Sequence, residues 1–180
     1  MTASFKEMTN FFIEVGADDV SHTNKSYLAH AIGVHRDLKA WGCSDELCRV
    51  GLFHSIYGTE LFQGFTLPVE RRGEIRQMIG ERAEYLANVN CAMARQTFDD
   101  SIDQPEGPYL IKDRLTGETI EMNQEDFDDL CRIHLCDWLE QVARWGNWDY
   151  RRRAFEGLAR RLGGIAEESF DKVFAQAPKA

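Results

Sequence analysis

YLAHAIGVHRDLKAWGCSDELCRVGLFH, residues 27–54, decides the fold. Tyr27, Leu28, Ala31, Val34, Leu38 and Trp41 recur at three- and four-residue spacing, which predicts a helix from about Lys25 to Trp41. Gly42 stops it, and Ser44 caps a next helix with Leu47 three residues on. That helix carries the most apolar stretch of the chain, CRVGLFHSIYG, and Gly58 is read as its end. A Gly-Cys-Ser turn is short enough to imply antiparallel packing of the two helices. His30 lies twelve residues before Gly42 and His54 ten after Ser44. At ~1.5 Å rise per residue the two imidazoles stand at about the same height.

Outward from this pair, helical spacing dominates. Phe5, Met8, Phe12 and Val15 share one face of a first helix that ends at Gly16, and residues 17–24 read as a polar connector. Residues 59–69, with Gly64 and Pro68, read as an irregular loop. A fourth helix is expected from Glu70 to about Asn90 and a surface loop from Asp99 to Pro108. Tyr109–Met122 carries the one clear β signal, two short strands around Thr116-Gly117. Asn123 caps a long helix to about Arg144, and two more helices follow near 148–162 and 165–175. The expectation is one all-α domain over residues 1–180, a helical bundle with a β-hairpin insertion at about 109–122.

Composition narrows the function classes. Of 180 residues, 43% are hydrophobic and 28% charged, as in ordinary globular domains. With 21 Lys+Arg against 30 Asp+Glu the net charge is −9, which argues against nucleic acid as a partner. No apolar run approaches the ~18 residues that span a bilayer, and the N-terminus lacks the pattern of a signal peptide. No membrane partner is expected. The five cysteines, Cys43, Cys48, Cys91, Cys131 and Cys136, form no C-x-x-C pair and lie mostly among apolar neighbours. They read as reduced core thiols of a cytoplasmic protein. The four tryptophans, Trp41, Trp138, Trp145 and Trp148, read as packing near helix ends, and Arg151-Arg-Arg153 as an exposed first turn.

Histidine points to chemistry. His54 lies within Gly51-Leu-Phe-His-Ser-Ile-Tyr57, where an imidazole must satisfy its ring nitrogens. The plain alternative is a core histidine bonded to a backbone carbonyl. His134 and Asp137 sit i, i+3 on a third, largely apolar helix. A carboxylate there is costly unless paired or metal-bound. Two histidines and an aspartate from three helices suit a divalent Mn, Zn or Fe ion. His22, in the connector, is placed near the same mouth, whereas His35 is read as an edge residue.

The ordered set Tyr27-Leu-Ala-His30, Gly51-Leu-Phe-His54 and Leu135-Cys-Asp137-Trp-Leu resembles the HD superfamily of metal-dependent phosphohydrolases over about residues 22–145. The stretch from His30 to Leu86 is similar in layout to the hydrolase domain of guanosine tetraphosphate synthetase-hydrolases. His54-Ser-Ile-Tyr-Gly-Thr59, Ile79-Gly-Glu-Arg-Ala-Glu84 and Leu130-Cys-Arg-Ile-His-Leu-Cys-Asp-Trp-Leu-Glu140 resemble an uncharacterised HD-like branch. The resemblance implies an HD-like helical fold and a divalent metal held by His30, His54 and Asp137, with His134 as a further ligand. Glu60 or Glu84 would accept a proton. His22, Lys25, Ser55, Tyr57, Thr59 and Arg72 would line the ligand site, with Arg76 a further cation at its mouth. The substrate would be a small molecule, phosphorylated in the hydrolase reading, and oligomerisation is compatible with it.

This chain departs from the pattern at three positions. Ser55 stands where HD proteins carry the Asp of the motif, and Gly58 and Thr59 replace acidic residues. A dinuclear centre is therefore not expected. Three readings stand beside a hydrolytic mononuclear enzyme: a degenerate HD fold that binds a nucleotide or other small ligand without turnover, a repurposed iron-dependent oxygenase, and an interaction protein with hydrogen-bonded buried histidines and no metal. Ser55 has no Gly-x-Ser-x-Gly elbow, so a serine hydrolase is disfavoured.

Overall fold

The computed structural model describes residues 2–178. It contains nine α-helices and two small antiparallel hairpins among the described residues, so the chain is predominantly helical. No helix of the described residues is long and apolar enough to cross a membrane. The chain divides into two compact units, one ending at Ala92 and the other beginning at Met93.

The first unit begins with α1 (Phe5–Glu14), whose start is fixed by a reciprocal capping box between Ser4 and Glu7. Then comes a hairpin absent from the sequence expectation. Strand β1 (Ser21–His22) pairs with β2 (Lys25–Ser26) in the register Ser21↔Ser26 and His22↔Lys25. Thr23 and Asn24 make the turn with φ of 44° and 63°, the two positive values of a tight hairpin turn. Asn accepts that region readily, and β-branched Thr does so rarely.

Helix α2 (Tyr27–Ala40) starts at Ser26, whose side chain accepts from Ala29 N–H, and α3 (Asp45–Phe53) starts at Ser44 in the same manner. α3 stops at Phe53 with His54 as its C-cap, five residues short of the expected end at Gly58. Gly51 sets the approach of the two helices: a β-carbon there would overlap Leu38 and crowd Val34 at 3.3 Å. His30 lies beside His54 and Val34 beside Gly51, so the helices run antiparallel, as the short turn implied.

The expected fourth helix is divided. After a 3-10 turn at Val69–Arg71, α4 covers Arg72–Ile79 and α5 covers Glu81–Ala92. Gly80, at φ 101° and ψ 156°, breaks the helix in a conformation that only glycine adopts easily. Met8, Phe12, Val34, Leu38, Leu52, Phe53, Ile75 and Leu86 are buried in this unit's core.

The second unit contains α6 (Arg95–Ser101), β3 (Tyr109–Lys112), β4 (Thr119–Met122), α7 (Gln124–Trp145), α8 (Arg152–Leu162) and α9 (Gly164–Phe174). The hairpin β3–β4 lies where expected, in the register Tyr109↔Met122 to Lys112↔Thr119. Helix α6 takes the place of the start of the expected acidic loop. Arg161 ties the unit together: its guanidinium donates to the carbonyls of Ile102 and Gln104 and to Asp128, and covers the rings of Tyr109 and Phe127. Trp138 is buried mid-helix rather than near an end, stacked 4.9 Å from Phe155.

Candidate metal centre

The close approach enforced by Gly51 brings two imidazoles into contact inside the first unit. The ring centroids of His30 and His54 are 5.2 Å apart at an interplanar angle of 78°. Both residues are buried, at 0% and 1% exposure. His54 leaves the end of α3 and returns Nδ1 to the carbonyl of Gly51 at 2.8 Å. A carbonyl only accepts, so Nδ1 carries the proton and Nε2 is the nitrogen left for a lone pair. Metal-binding histidines are commonly oriented by such a bond from the second ring nitrogen. From α5, Asn90 Nδ2 donates to the His54 carbonyl at 2.7 Å, and the Cys91 thiol approaches the same oxygen at 3.3 Å. The backbone that carries the imidazole is thus held from a third helix.

The first hairpin adds another ring. His22 stacks on His30 with centroids 4.2 Å apart and planes 10° from parallel, and its Nδ1 lies 3.0 Å from Thr23 Oγ1. Phe62 meets the His22 ring edge-on at 4.5 Å. An imidazole lone pair lies in the ring plane, so a stacked partner is poorly aimed at an ion shared with His30. His22 covers the pair instead of extending it.

Several expected ligand-site residues have structural partners. Ser55 donates its hydroxyl to Tyr27 OH at 3.2 Å. Thr59 Oγ1 accepts from Phe62 N–H and shapes the loop. Tyr57 donates to Glu84 Oε1 at 3.0 Å. The Glu84 carboxylate, fully buried, also accepts from Arg72 Nε at 2.6 Å, Arg72 Nη2 at 3.0 Å and Arg76 Nε at 3.0 Å. Burial raises the carboxyl pKa, and the hydrogen bonds from Arg72, Arg76 and Tyr57 outweigh that to leave it below its ordinary value. Burial, then the neighbouring Glu84 charge, pushes the Tyr57 phenol up. The hydrogen bond to Glu84 raises Arg72 despite its desolvation. Glu84 is held by three side chains, and the proton-accepting role expected of it would compete with Arg72, Arg76 and Tyr57 for its oxygens. Arg72 is likewise engaged with Glu84. Glu60 is exposed on the loop after Thr59, and Lys25 is half-buried on β2.

In the second unit, α7 carries the remaining expected ligands. Asp137 is 8% exposed, and its Oδ1 accepts from Gln141 Nε2 at 2.8 Å. His134, one turn earlier, is committed elsewhere. Arg151 Nη1 lies 2.8 Å from His134 Nε2, and an arginine only donates, so that nitrogen is the acceptor. The ring sits 5.1 Å from Phe98 and 5.6 Å from Phe155. Arg151 also pairs with Asp99. A metal would compete with the Arg151 guanidinium for that nitrogen, and His134 as a further ligand stays an expectation. The reading of Arg151 as an exposed first-turn residue is corrected, since its side chain is 13% exposed and engaged with Asp99 and His134. In the first unit the buried His30 and His54 offer ring nitrogens that could hold a metal ion, and in the second Asp137 offers a buried carboxylate.

Residues 11–95 match the family model described as a domain of unknown function (DUF6817). No curated protein and no solved structure matches the chain. The DUF6817-like segment contains His22, His30, His54 and the residues that pin them, including Asn90, and leaves out His134 and Asp137. Asn90 and Cys91, both on the carbonyl of His54, were not anticipated from the sequence. Of these, Asn90 was detectable in sequence: it is a polar residue on the apolar face set by Ala83, Leu86 and Ala87.

Proposed function

We propose that the chain is a divergent HD-type metal-dependent enzyme that acts on a small molecule, hydrolytic in type, with His30, His54 and Asp137 as the ligands of one divalent ion. The observation that carries this reading is the buried His30–His54 pair, with the His54 tautomer fixed by Gly51. Two imidazole nitrogens and a carboxylate oxygen are a donor set suited to Zn, Mn or Fe. A divalent ion held there would supply Lewis acidity, lowering the pKa of water and polarising a substrate oxygen. The protein's own groups do the rest. His54 is kept in one tautomer, Asn90 fixes its backbone, and Gln141 orients the Asp137 carboxylate. Glu60 retains the proton-accepting role in this reading and Glu84 does not. A second reading, ligand binding without turnover, is supported by one specific pair of facts: Ser55 is turned to Tyr27 and Glu84 is held by arginines.

Elemental analysis of protein purified without added metal or tag-derived nickel tests the proposal, beside His54→Ala and Asp137→Asn. About one transition-metal ion per chain is expected, lost in both variants while far-ultraviolet circular dichroism is retained. Absence of metal after incubation with Mn, Zn and Fe would overturn it. Metal without phosphatase activity on a panel of small phosphate esters would select the binding reading.

A further inference from the structure

We infer that a groove between α1 and the edge of the α2–α3 pair binds a small organic monoanion, an aromatic carboxylate. None of its lining residues is a candidate metal ligand. Two helices each bring to it a pair of polar side chains one turn apart: His35 and Lys39 from α2, Asp45 and Arg49 from α3. The close approach at Gly51 sets these two edges side by side, since a β-carbon there would lie 3.6 Å from the His35 backbone nitrogen. The third wall is apolar. It consists of Met8, which is buried, and Phe5, 43% exposed, whose ring lies 4.8 Å from the His35 ring. The cavity measures about 430 Å³, within the ~300–1,000 Å³ of small-molecule sites.

The charge lining the groove is not balanced. Lys39 and Arg49 stand against Asp45 alone, which leaves one net positive charge. Burial, and then the Lys39 charge, lower the His35 pKa, so at neutral pH the imidazole is uncharged and offers a single N–H donor. Arg49 gives Nε to the Ile79 carbonyl at 3.0 Å, at the C-terminal end of α4. That bond holds the guanidinium at the groove, while its terminal nitrogens make no hydrogen bond among the described residues. A guanidinium presents a planar fork that matches a carboxylate, and Lys39 adds a second cation. One anionic charge restores the balance, and Asp45 opposes a second. Phe5 offers a ring that favours edge-on or offset contact with another ring, and Met8 a soft apolar floor. A neutral aromatic molecule would take water from the cations without replacing it. The site is independent of the metal reading.

Proton–nitrogen correlation NMR of the full chain, titrated with sodium benzoate at neutral pH and constant ionic strength, tests the site. The amides around Phe5, His35, Lys39, Asp45 and Arg49 should shift together and saturate. The dissociation constant should be on the order of 1 mM, the scale for so small a ligand. Benzamide has the same shape and no charge, and should bind about tenfold more weakly. Two exposed residues provide the decisive comparison, because they should act in opposite directions. Lys39→Gln should weaken benzoate binding about threefold and Asp45→Asn should tighten it about threefold, the scale of water-screened charges. Neither side chain is in the core, and the same spectra verify that both variants fold. A merely structural disturbance would weaken binding in both. Shifts that do not saturate, equal binding of benzamide, or variants with unchanged or equally reduced affinity would overturn the proposal. Tighter binding of phenyl phosphate, a dianion, would overturn the assignment of a singly charged ligand.

Discussion

Glu84→Gln probes the most heavily charged interaction in the first unit. The substitution keeps the shape and removes the charge that Arg72 and Arg76 share, while Tyr57 stays within hydrogen-bond reach of one oxygen. It also turns an amide N–H₂ toward groups that only donate. Removing one partner of a buried charge pair costs about 3–5 kcal/mol. Here the arginine side chains are 28% and 40% exposed, so water screens part of what remains. A loss of about 2–3 kcal/mol is expected. The pH dependence has a definite sign. The folded-state pKa of Glu84 lies below its unfolded value, so the unfolded chain takes up this proton first. The stabilisation is complete above the ordinary carboxylate value of about 4.3 and is lost as the pH falls through the folded value. Urea denaturation at pH 7 and at progressively lower pH should show wild type converging on the variant as acid is added. A variant within about 0.5 kcal/mol of wild type at pH 7, or a gap that stays constant into acid, would refute the assignment of Glu84 as a structural anchor. Loss of bound metal from a folded Glu84→Gln chain would instead restore it to the site.

Three further perturbations follow from particular contacts. Gly51→Ala forces a methyl into Leu38 and should cost about 1–3 kcal/mol in chemical denaturation, with a weaker His30–His54 contact seen as a shifted imidazole resonance. Arg161→Met strands the carbonyls of Ile102 and Gln104 and the Asp128 carboxylate, and should destabilise the chain by about 3 kcal/mol, read from the urea midpoint. Iodoacetamide at pH 8 should label half-buried Cys43 first, because burial pushes the Cys48 thiol up to about 11 and raises Cys131 still further; quantitative mass spectrometry of the five sites gives the order.

The parts of the fold that were legible in sequence are those set by local rules. Ser44, Asn123 and the stripe from Tyr27 to Leu38 announce their helices because capping and 3.6-residue spacing are local physics. The meeting of His30 and His54 was legible because a short turn and a fixed rise leave little freedom. Gly80 was visible in the sequence, yet a glycine inside an apolar pattern reads equally as a tolerated helical residue until its φ is known. Helix α6 was hidden because its sequence, RQTFDDS, offers a single large apolar side chain for any period to register. The first hairpin was hidden for a different reason: with two residues per strand there is no alternation to detect, and its turn rests on Thr23 in an unfavoured conformation. His134 shows the limit of face arguments. Its i, i+3 relation to Asp137 is real, but which neighbour claims a buried nitrogen depends on an arginine seventeen residues later in sequence.

The charge balance of the proposed donor set constrains what it could bind. Two neutral imidazoles and one carboxylate would leave a divalent ion with a net charge of about +1, so an anionic oxygen is the favoured fourth partner. The aspartate of the HD pattern would cancel that charge, and Ser55, with its hydroxyl directed to Tyr27, does not. In the proposed HD-type site the replacement would alter the electrostatics as well as remove a ligand: it would lower affinity for the ion while raising the ion's affinity for an anion. Competition distinguishes this consequence from simple loss of function. Inorganic phosphate should tighten Zn retention in wild type, and Ser55→Asp should tighten Zn retention alone while abolishing the effect of phosphate. Equal phosphate dependence in both proteins would show that the charge at position 55 does not reach the ion.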